Sequence, residues 1–376
     1  MNKNRIKYIG MYDTANDTVQ RFHSLAGVNK MNYIISVLNE IGYDVDIYSL
    51  AKSKEHKFRY TKEQIVQMGK NTLYLPPTFG ANNKLTKALR ICLLNIWLIL
   101  RLCQHAKKDE VILVYHTLEG ISPLCLFKKI KRVRYILEVE EIYGEISGIN
   151  NTKEIDYISE AYKYIVVSDM LRKKLPPKDS ICIYGNYKTG KGNNISTHDS
   201  GRINMLFSGS LDAKRGVHPA VESMYYLPDN YFLNISGTDT PENINKLKER
   251  IESLNRKKGK EVCKYHGCLS LTDYNKLLGN TDIALNTQIA GTFGQYLFPS
   301  KLLSYMKANL HIVSTKGDSI VSSPFADRIH FADDFSPESI AKAILRVDLG
   351  MPENNEAFLS ELHEKTKSEL KKLIEA

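Results

Sequence analysis

Short apolar runs alternate with amphipathic segments along the whole chain. The apolar runs, such as "EVILVYH" and "YIVVS" in the first half and "INMLFSG" and "LHIVST" in the second, have the length and β-branched content of buried strands. Helical spacing marks the first-half segments 28–41, 84–107, 120–129 and 153–162. Buried strands that alternate with helices predict parallel sheets covered by helices. The sequence therefore predicts an α/β fold with two doubly wound domains.

A polar, glycine-containing stretch separates the two halves. It is rich in Gly, Asn, Ser and Thr, the composition of an exposed linker. We therefore predict an N-terminal domain over residues 1–185, a linker over 186–201 and a C-terminal domain over 202–350. The tail, residues 351–376, is charged and amphipathic, and we expect it to form a helix that packs back on the N-terminal domain.

The composition is that of a soluble two-domain protein. The chain has 376 residues, 43% of them hydrophobic and 25% charged, and it lacks both a secretory signal and an apolar run long enough to span a bilayer. Its six cysteines lack the paired spacing of a metal site or a disulfide scaffold. We therefore expect a cytoplasmic protein with reduced thiols. No group of His, Cys, Asp or Glu has metal-ligand spacing, so we expect no metal.

The net charge of +10 predicts an anionic partner. The candidates are nucleic acid, an acidic membrane surface and a phosphorylated substrate. The basic clusters at 128–134 and 256–260 lack the aromatic interleaving of a single-strand binding platform, and each is equally consistent with a solvated surface. We therefore expect no nucleic-acid partner.

A strand, a polar loop with glycines and a helix follow one another over residues 206–224. Gly209 permits close backbone approach, and the planar guanidinium of Arg215 matches phosphate oxygens. The stretch has neither the Walker spacing nor the dinucleotide fingerprint. It is typical either of a phosphate-binding turn or of a strand-to-helix turn with solvated basic residues, and both interpretations stay open.

The stretch "FPSKLLSYMKANLHIVST" (298–315) predicts a loop, a helix and a buried strand. Ser300 is placed to cap the helix at its start, and Asn309 suits a left-handed residue at its end. The apolar face of the helix is formed by Leu302, Leu303, Tyr305 and Met306.

The acidic stretch "ILEVEEIYGEI" (136–146) follows a predicted strand. Alternation along a strand places Glu138 and Glu140 on one face. One of these carboxylates, with Glu140 as the candidate catalytic residue, has the chemistry of a general base or of a ligand for acceptor hydroxyls. A charged loop without catalytic function is the alternative.

The predicted helix between Leu85 and Lys108 has basic and aromatic residues along one stripe. The stripe is formed by Lys87, Arg90, Leu94, Trp97, Arg101, Gln104 and Lys108. An exposed Leu-Trp pair flanked by cations is typical of a helix that lies on an anionic bilayer, and it predicts a peripheral association with the inner face of the plasma membrane. The alternative is a buried domain helix whose tryptophan packs against a neighbour.

The order of several segments resembles that of a known family. "FSGSLDAKRGV", "NISGTD", "KYHGCLSLTDYNKLLGNTDIALNT" and "FPSKLLSYMKANLHIVST" resemble the nucleotide-sugar half of GT-B glycosyltransferases, most closely the large retaining family four. "SLAGVNKMNYIISVLNEIGYDVDIYSL" resembles the opening glycine turn, helix and second strand of that family. The resemblance covers nearly the whole chain. It implies the GT-B architecture, two Rossmann-like domains that face each other across a cleft.

The resemblance also implies a set of site residues. The donor, a nucleoside diphosphate sugar, is implied to contact Gly27, Gly209, Ser210, Arg215, Gly216, Gly267, Leu297, Phe298, Ser300, Lys301 and Ser304. His116 matches a position near the donor sugar, and with Glu140 it completes the candidate catalytic residues. A satisfied histidine at the end of a strand is the alternative for His116, and a screened surface lysine is the alternative for Lys301.

The sequence departs from the family at two positions. Family members commonly carry two glutamates with seven residues between them, the second of which holds the ribose hydroxyls. Tyr296 and Ser304 stand at the matching positions here. A serine offers one short hydroxyl where a carboxylate accepts two hydroxyl donors, so ribose recognition is expected to weaken, to move elsewhere or to be missing.

These features predict a metal-independent glycosyltransferase without a cofactor. It would move a sugar to a glycan or lipid-linked acceptor, with retention, in bacterial surface-polysaccharide synthesis. A non-catalytic GT-B-fold partner within a glycosyltransferase complex and a nucleotide-sugar epimerase are the alternatives.

Overall fold

The computed structural model describes residues 4–14, 20–144, 152–189, 201–289, 295–351 and 353–376. The chain divides into two compact units: unit 1 is Met1–Asn186 with Leu362–Ala376, and unit 2 is Tyr187–Glu361. Of the linker predicted over 186–201, residues 190–200 lie outside the described residues.

Unit 1 is built on a largely parallel sheet. Its strands are β1 (Asn4–Gly10), β2 (Tyr43–Ser49), β3 (Tyr60–Thr61), β4 (Gln64–Met68), β5 (Asn71–Leu75), β6 (Thr78–Phe79), β7 (Val111–Tyr115), β8 (Arg134–Val139), β9 (Lys163–Val166) and β10 (Ser180–Cys182). Within the described residues the sheet has the order β10-β9-β8-β7-β1-β2-β5-β4, and β3 and β6 form a separate antiparallel pair. Only the β4–β5 pairing in the described part of the main sheet is antiparallel.

The helices of the first 186 residues follow the predicted hydrophobic spacing. They are α1 (Leu25–Glu40), α2 (Lys84–His105), α3 (Ile121–Lys131), α4 (Thr152–Ser159) and α5 (Asp169–Arg172). The first four match the segments predicted as helices, with ends that differ by a few residues. The helix α1 starts earlier than expected, because Ser24 accepts a hydrogen bond from the Gly27 amide and caps the helix there.

Unit 2 is built on a second parallel sheet. Its strands are β11 (Ile203–Ser210), β12 (Tyr231–Thr238), β13 (Cys263–Tyr265), β14 (Ile283–Asn286), β15 (His311–Ser314) and β16 (His330–Phe331). The order among the described residues is β13-β12-β11-β14-β15-β16, so the direction of strand addition reverses between β11 and β14. This is the order of a doubly wound sheet, whose ligands bind outside the carboxyl ends of the strands at the reversal.

The helices of unit 2 cover its sheet. They are α6 (Val217–Ser223), α7 (Pro241–Lys258), α8 (Leu271–Gly279), α9 (Lys301–Lys307), α10 (Asp318–Val321) and α11 (Pro337–Leu345). One core cluster joins the sheet to α6, α7 and α11 through residues such as Phe207, Leu233, Val221, Leu247 and Ile340, all of which are buried. The rigid sheet thereby fixes the loops at the carboxyl ends of β11 and β14.

The chain ends in α12 (Glu356–Glu375), a helix where the amphipathic pattern predicts one. In unit 1, His363 Nδ1 of α12 lies 3.0 Å from the Tyr33 hydroxyl of α1, and His363 Nε2 lies 2.9 Å from a carboxylate oxygen of Glu40. Lys163 of β9 donates to the carbonyl oxygen of Leu373 at 3.0 Å. These contacts tie the end of the chain to unit 1.

The prediction that the basic and aromatic stripe of α2 faces a membrane is wrong, because the central residues of the stripe are buried. Trp97 is 7% exposed, and its Nε1 donates to Glu63 at 2.8 Å. Arg101 donates to the same carboxylate, and Arg90 donates to the Ser53 carbonyl oxygen at 2.7 Å. The buried-helix alternative is therefore correct for this face. No described helix combines the length and the hydropathy that crossing a lipid bilayer requires.

Candidate functional site

The loop that follows β11 lies at the reversal of strand order in unit 2. Gly209 has φ 115° and Gly216 has φ 83°, backbone conformations that residues other than glycine rarely adopt. A Cβ on Gly216 would lie 1.6 Å from the carbonyl oxygen of Thr287, and the Thr287 hydroxyl donates to the Gly216 carbonyl oxygen at 2.6 Å. The loop is therefore held against the residue that follows β14, and only glycine fits there.

Lys301, the first residue of α9, lies next to this loop. Its Nζ is 4.0 Å from the centroid of the Phe207 ring on β11. Burial, together with the charge of the nearby Arg215, lowers the pKa of Lys301 to about 7. Among the described residues, no carboxylate and no hydrogen-bond acceptor meets this ammonium group. Two cations thus lie close together beside the glycine-containing loop.

Tyr305 fixes α9 against the end of β11. The Ser208 amide donates to the Tyr305 hydroxyl at 3.1 Å, and the hydroxyls of Ser208 and Tyr305 are 2.9 Å apart. Tyr274 on α8 joins the same network, with its hydroxyl 2.9 Å from Ser208 Oγ. From the sequence, Tyr305 was predicted only as part of the apolar face of this helix. The available signal was a polar-tipped ring at a fully buried position, which needs a hydrogen-bond partner.

The remaining features of α9 largely follow the sequence prediction. Leu302, Leu303 and Met306 are buried like Tyr305, and Asn309 is left-handed with φ 50°. The predicted Ser300 cap is wrong, since its side chain makes no capping hydrogen bond. Ser300 has φ −57° and ψ −23°, which is already helical, whereas a capping residue needs an extended backbone.

The other donor-site candidates of unit 2 are spread around the carboxyl ends of the strands. Ser210 ends β11 and is exposed, and Gly267 follows the outer strand β13 with φ 73°. The carbonyl oxygen of Leu297 accepts from Ser319 at 2.9 Å, and Phe298 is buried with its ring centroid 5.1 Å from that of Phe325. Ser304 is half-buried in the middle of α9. The glycine-rich segment 290–294, which precedes Leu297, lies outside the described residues.

His116 belongs to a buried network of unit 1. Its side chain is 1% exposed, and its Nδ1 is 3.0 Å from the carbonyl oxygen of Glu141. Its Nε2 is 3.4 Å from a carboxylate oxygen of Glu154, which accepts from the Tyr143 and Gly144 amides. Burial lowers the pKa of His116 despite the opposing effect of Glu154. His116 is therefore buried within unit 1, and its place near a donor sugar stays a prediction.

The acidic residues after β8 form a second cluster in unit 1. Glu138 is buried and accepts a hydrogen bond from the Tyr8 hydroxyl. Burial, and after it the charge of Glu140, raises the pKa of Glu138 to about 8, so the two carboxyl groups lie close enough to interact. Glu140 is half-buried, and the buried Lys30 of α1 donates to it at 2.6 Å. The candidate base is thus held by an ion pair.

Gly27 occupies a different position from the one predicted. It lies inside the first turn of α1 and not in a turn before the helix. Its amide is 3.3 Å from Ser24 Oγ, and a Cβ would lie 3.1 Å from the Tyr115 hydroxyl. Its small size therefore serves the packing of α1 against β7, and its capped amide is already satisfied.

Comparison with known proteins supports the fold strongly. No protein-family model matches the sequence, and no curated protein matches it either. Among solved structures, the chain is similar to α,α-trehalose 6-phosphate synthase from Burkholderia multivorans, with TM-score 0.64 and 11% identity over 98% of this chain and 93% of that chain. It is also similar to the E. coli structure described as trehalose-6-phosphate bound with UDP-2-fluoro glucose, with TM-score 0.66 and 12% identity over 99% and 98% of the two chains. The chain has the GT-B fold.

The GT-B fold is the level at which these comparisons agree with the sequence resemblance. Sucrose-phosphate synthase from Thermosynechococcus elongatus gives TM-score 0.65 and 13% identity over 99% of this chain and 95% of that chain. The compared structures are trehalose-phosphate and sucrose-phosphate synthases, so they support GT-B without singling out family four. The donor site predicted around Lys301 and Arg215 stays a prediction at this level of comparison.

Proposed function

We propose that this protein is a glycosyltransferase that moves a sugar from a nucleoside diphosphate sugar to a glycan or lipid-linked acceptor. The observation that carries the proposal is the half-buried Lys301 ammonium, which lies beside Arg215 and has no described anionic partner. Burial and a second cation destabilise the charged form of this lysine and lower its pKa. A bound phosphate therefore stabilises that charged form strongly. The fold supports the same conclusion, since it is shared over nearly the full length with sugar-phosphate synthases.

The proposed chemistry needs charge stabilisation on the leaving group. When the bond between the sugar C1 and the diphosphate oxygen breaks, negative charge develops on that oxygen, which takes up the proton that the acceptor hydroxyl loses as it bonds to C1. Lys301 and Arg215 would stabilise the leaving diphosphate, the effect that usually dominates such catalysis. Membership of family four, retention of configuration and a role in bacterial surface polysaccharide rest on the sequence resemblance and belong to the proposal.

A binding experiment tests the donor site. We would titrate the purified protein with UDP, GDP, ADP and their sugar conjugates by calorimetry, beginning with UDP because the compared E. coli structure binds UDP-2-fluoro glucose. We expect one nucleotide to bind, with at least about tenfold weaker binding in Arg215→Ala and Lys301→Met, since each loses a charge-assisted contact. Lys214→Ala is the matched control, because Lys214 is an exposed cation on the same loop. Failure of every nucleotide to bind would contradict the proposal.

A non-catalytic binding partner is the second candidate. Tyr296 and Ser304 favour this candidate, since they stand where the family that the sequence resembles has its two glutamates. Release of nucleoside diphosphate from the bound sugar nucleotide distinguishes the two candidates without knowledge of the acceptor. An enzyme releases it slowly into water and faster with a suitable acceptor, whereas a partner subunit binds it and releases none. A Ser304→Glu variant should strengthen binding through the ribose hydroxyls if α9 meets the ribose.

On the acceptor side, we propose Glu140 as a contact for acceptor hydroxyls. Its ion pair with Lys30 keeps the carboxylate in one place and leaves it half-buried. A Glu140→Gln variant should then raise the KM for the acceptor while nucleotide binding stays unchanged. If the acceptor KM of the variant is also unchanged, Glu140 does not contact the acceptor.

We also propose that unit 1 binds an anionic membrane surface, through a different face of α2 from the one predicted. Four large apolar side chains on this face are exposed: Leu85, Leu89, Ile96 and Leu100. The neighbouring α3, which contacts α2, exposes Leu126 and Ile130 and carries Lys128, Lys129 and Lys131 in its last turn. Apolar side chains beside a cluster of cations have the chemistry of a lipid-facing surface.

Vesicle flotation tests the membrane proposal. We expect the protein to bind vesicles that contain phosphatidylglycerol and not to bind vesicles of pure phosphatidylcholine. The double variant Ile96→Glu, Leu100→Glu should lose binding to the anionic vesicles. Leu271→Glu is the control, since Leu271 is an exposed leucine in unit 2. Equal binding of the double variant and the control would refute a lipid-facing α2.

A further inference from the structure

Three metal-ligating side chains come together at the edge of unit 2 opposite to the candidate donor site. His311 begins β15, His330 begins β16, and Glu353 follows α11. One ligand atom from each residue lies within 4.8 Å of the other two. The donor-site loops leave the carboxyl ends of the strands, whereas these histidines stand at the amino ends.

The strand register brings the two imidazoles onto one face. Val313 of β15 is paired with His330 of β16. His311 is two residues before Val313, so both point to the same side of the sheet. The ring centroids of His311 and His330 are 6.0 Å apart. Successive members are 19 and 23 positions apart in the sequence, too far for a recognisable metal-ligand spacing, and for that reason no metal was expected.

The distance between the first histidine and the carboxylate fits a shared ion. His311 Nδ1 lies 3.4 Å from Glu353 Oε1, which is also the separation of two ligand atoms bound at about 2.1 Å in tetrahedral geometry. His311 is 8% exposed, and its buried Nδ1 has no hydrogen-bond partner. A buried, unsatisfied ring nitrogen aimed at a carboxylate is a ligand position that asks for a cation.

The space around the group also suits an ion. A cavity of about 570 Å³, lined by His311 and Glu353 with Asp282 and Asn309, adjoins the group. It gives an ion a path from solvent and leaves room for a bound water.

We propose that His311, His330 and Glu353 bind one divalent transition-metal ion, Zn²⁺, with water as the fourth ligand. Two imidazoles and one carboxylate are a ligand set that zinc accepts. The ion would tie the chain that follows α11 to the amino ends of β15 and β16, so its main effect is on the stability of unit 2. This proposal does not rest on the proposed glycosyl transfer.

Metal titration of the full chain tests the site. Exposed thiols also bind zinc, so the experiment uses the background Cys92→Ser, Cys268→Ser, which removes the two exposed cysteines of the described residues. After chelator treatment, we expect about one Zn²⁺ per chain by calorimetry and a rise in Tm on adding Zn²⁺. Glu353→Gln should weaken binding by at least about tenfold, and His330→Ala should abolish it.

The control and the contrary outcomes separate a metal site from a simple ion pair. His56→Ala removes an exposed histidine of unit 1 and should bind zinc like the background. Equal zinc affinity in Glu353→Gln, or no binding near one ion per chain, would overturn the proposal even if His330→Ala fails to fold. A lower Tm in Glu353→Gln with no effect of zinc on the background protein would mean an ion pair alone, which also overturns it.

Discussion

Nucleotide binding should take up a proton at Lys301. The pKa of its ammonium is lowered to about 7, because burial and Arg215 disfavour the charged form. A bound diphosphate supplies the missing negative charge and should return that pKa towards the usual value of roughly 10.4. Between these two pKa values the free protein has lost the proton and the complex holds it. Affinity should therefore fall as the pH rises above 7.

The magnitude follows from the two pKa values. With about 7 in the free protein and roughly 10.4 in the complex, the affinity falls about 20-fold between pH 6.5 and pH 8.5, or about 1.8 kcal/mol. This figure is an upper limit, since Lys301 is only half-buried and water screens part of the interaction. Proton uptake should rise from about half a proton per nucleotide at pH 7 to nearly one at pH 8.5.

Calorimetry in buffers of different ionisation enthalpy measures the proton uptake directly. UDP-glucose is the suitable ligand, because its diphosphate neither gains nor loses a proton in this range. Lys301→Met should bind weakly with little dependence on pH, and Lys214→Met should behave like the unchanged protein. Affinity of the unchanged protein that does not vary between pH 6.5 and 8.5, with no proton uptake, would refute the reasoning about Lys301.

Three further predictions concern stability and positioning. Gly216→Ala should lower the free energy of unfolding by more than about 2 kcal/mol, because its Cβ would overlap the Thr287 carbonyl group, whereas Gly259→Ala, also at positive φ but in open space, should cost about 1 kcal/mol in the same thermal melts. Tyr305→Phe should cost about 1–2 kcal/mol and weaken nucleotide binding, because the Ser208 amide loses its acceptor and α9 loosens; unchanged binding would dissociate Tyr305 from the site. Lys301→Met should raise the Tm of the unliganded protein most at and below pH 7, because the pKa of Lys301 is lower in the folded than in the unfolded state and folding therefore penalises its charged form. This gain in Tm should shrink as the pH rises towards 10.5. A gain that grows with pH would contradict the lowered pKa.

The elements of the fold could be predicted largely from periodicity. The strands predicted from apolar runs and the first four helices form where the pattern placed them, because burial of apolar side chains has the same period as the secondary structure. The short or edge strands β3 to β6, β10 and β16 were not predicted. The pattern predicted the helix α2 correctly but was wrong about its faces, because the stripe that it assigned to the membrane surface is buried. Arg90 and Trp97 looked suited to a membrane surface, but each satisfies its polar atoms inside the protein, on Ser53 and Glu63. A sequence does not show such partners, which come from distant segments.

The chemistry-bearing residues divide in the same way. The sequence by itself determined the α/β plan, the glycine-containing loop after β11, the helix with Lys301 at its start and the left-handed Asn309, since each depends on local conformation and spacing. Only the tertiary structure decided which of these residues act on each other. It placed Lys301 on Phe207 beside Arg215, buried His116, and joined His311, His330 and Glu353 at the amino ends of two strands. Sheet register and burial bring together residues that are far apart in sequence, and burial sets their charge.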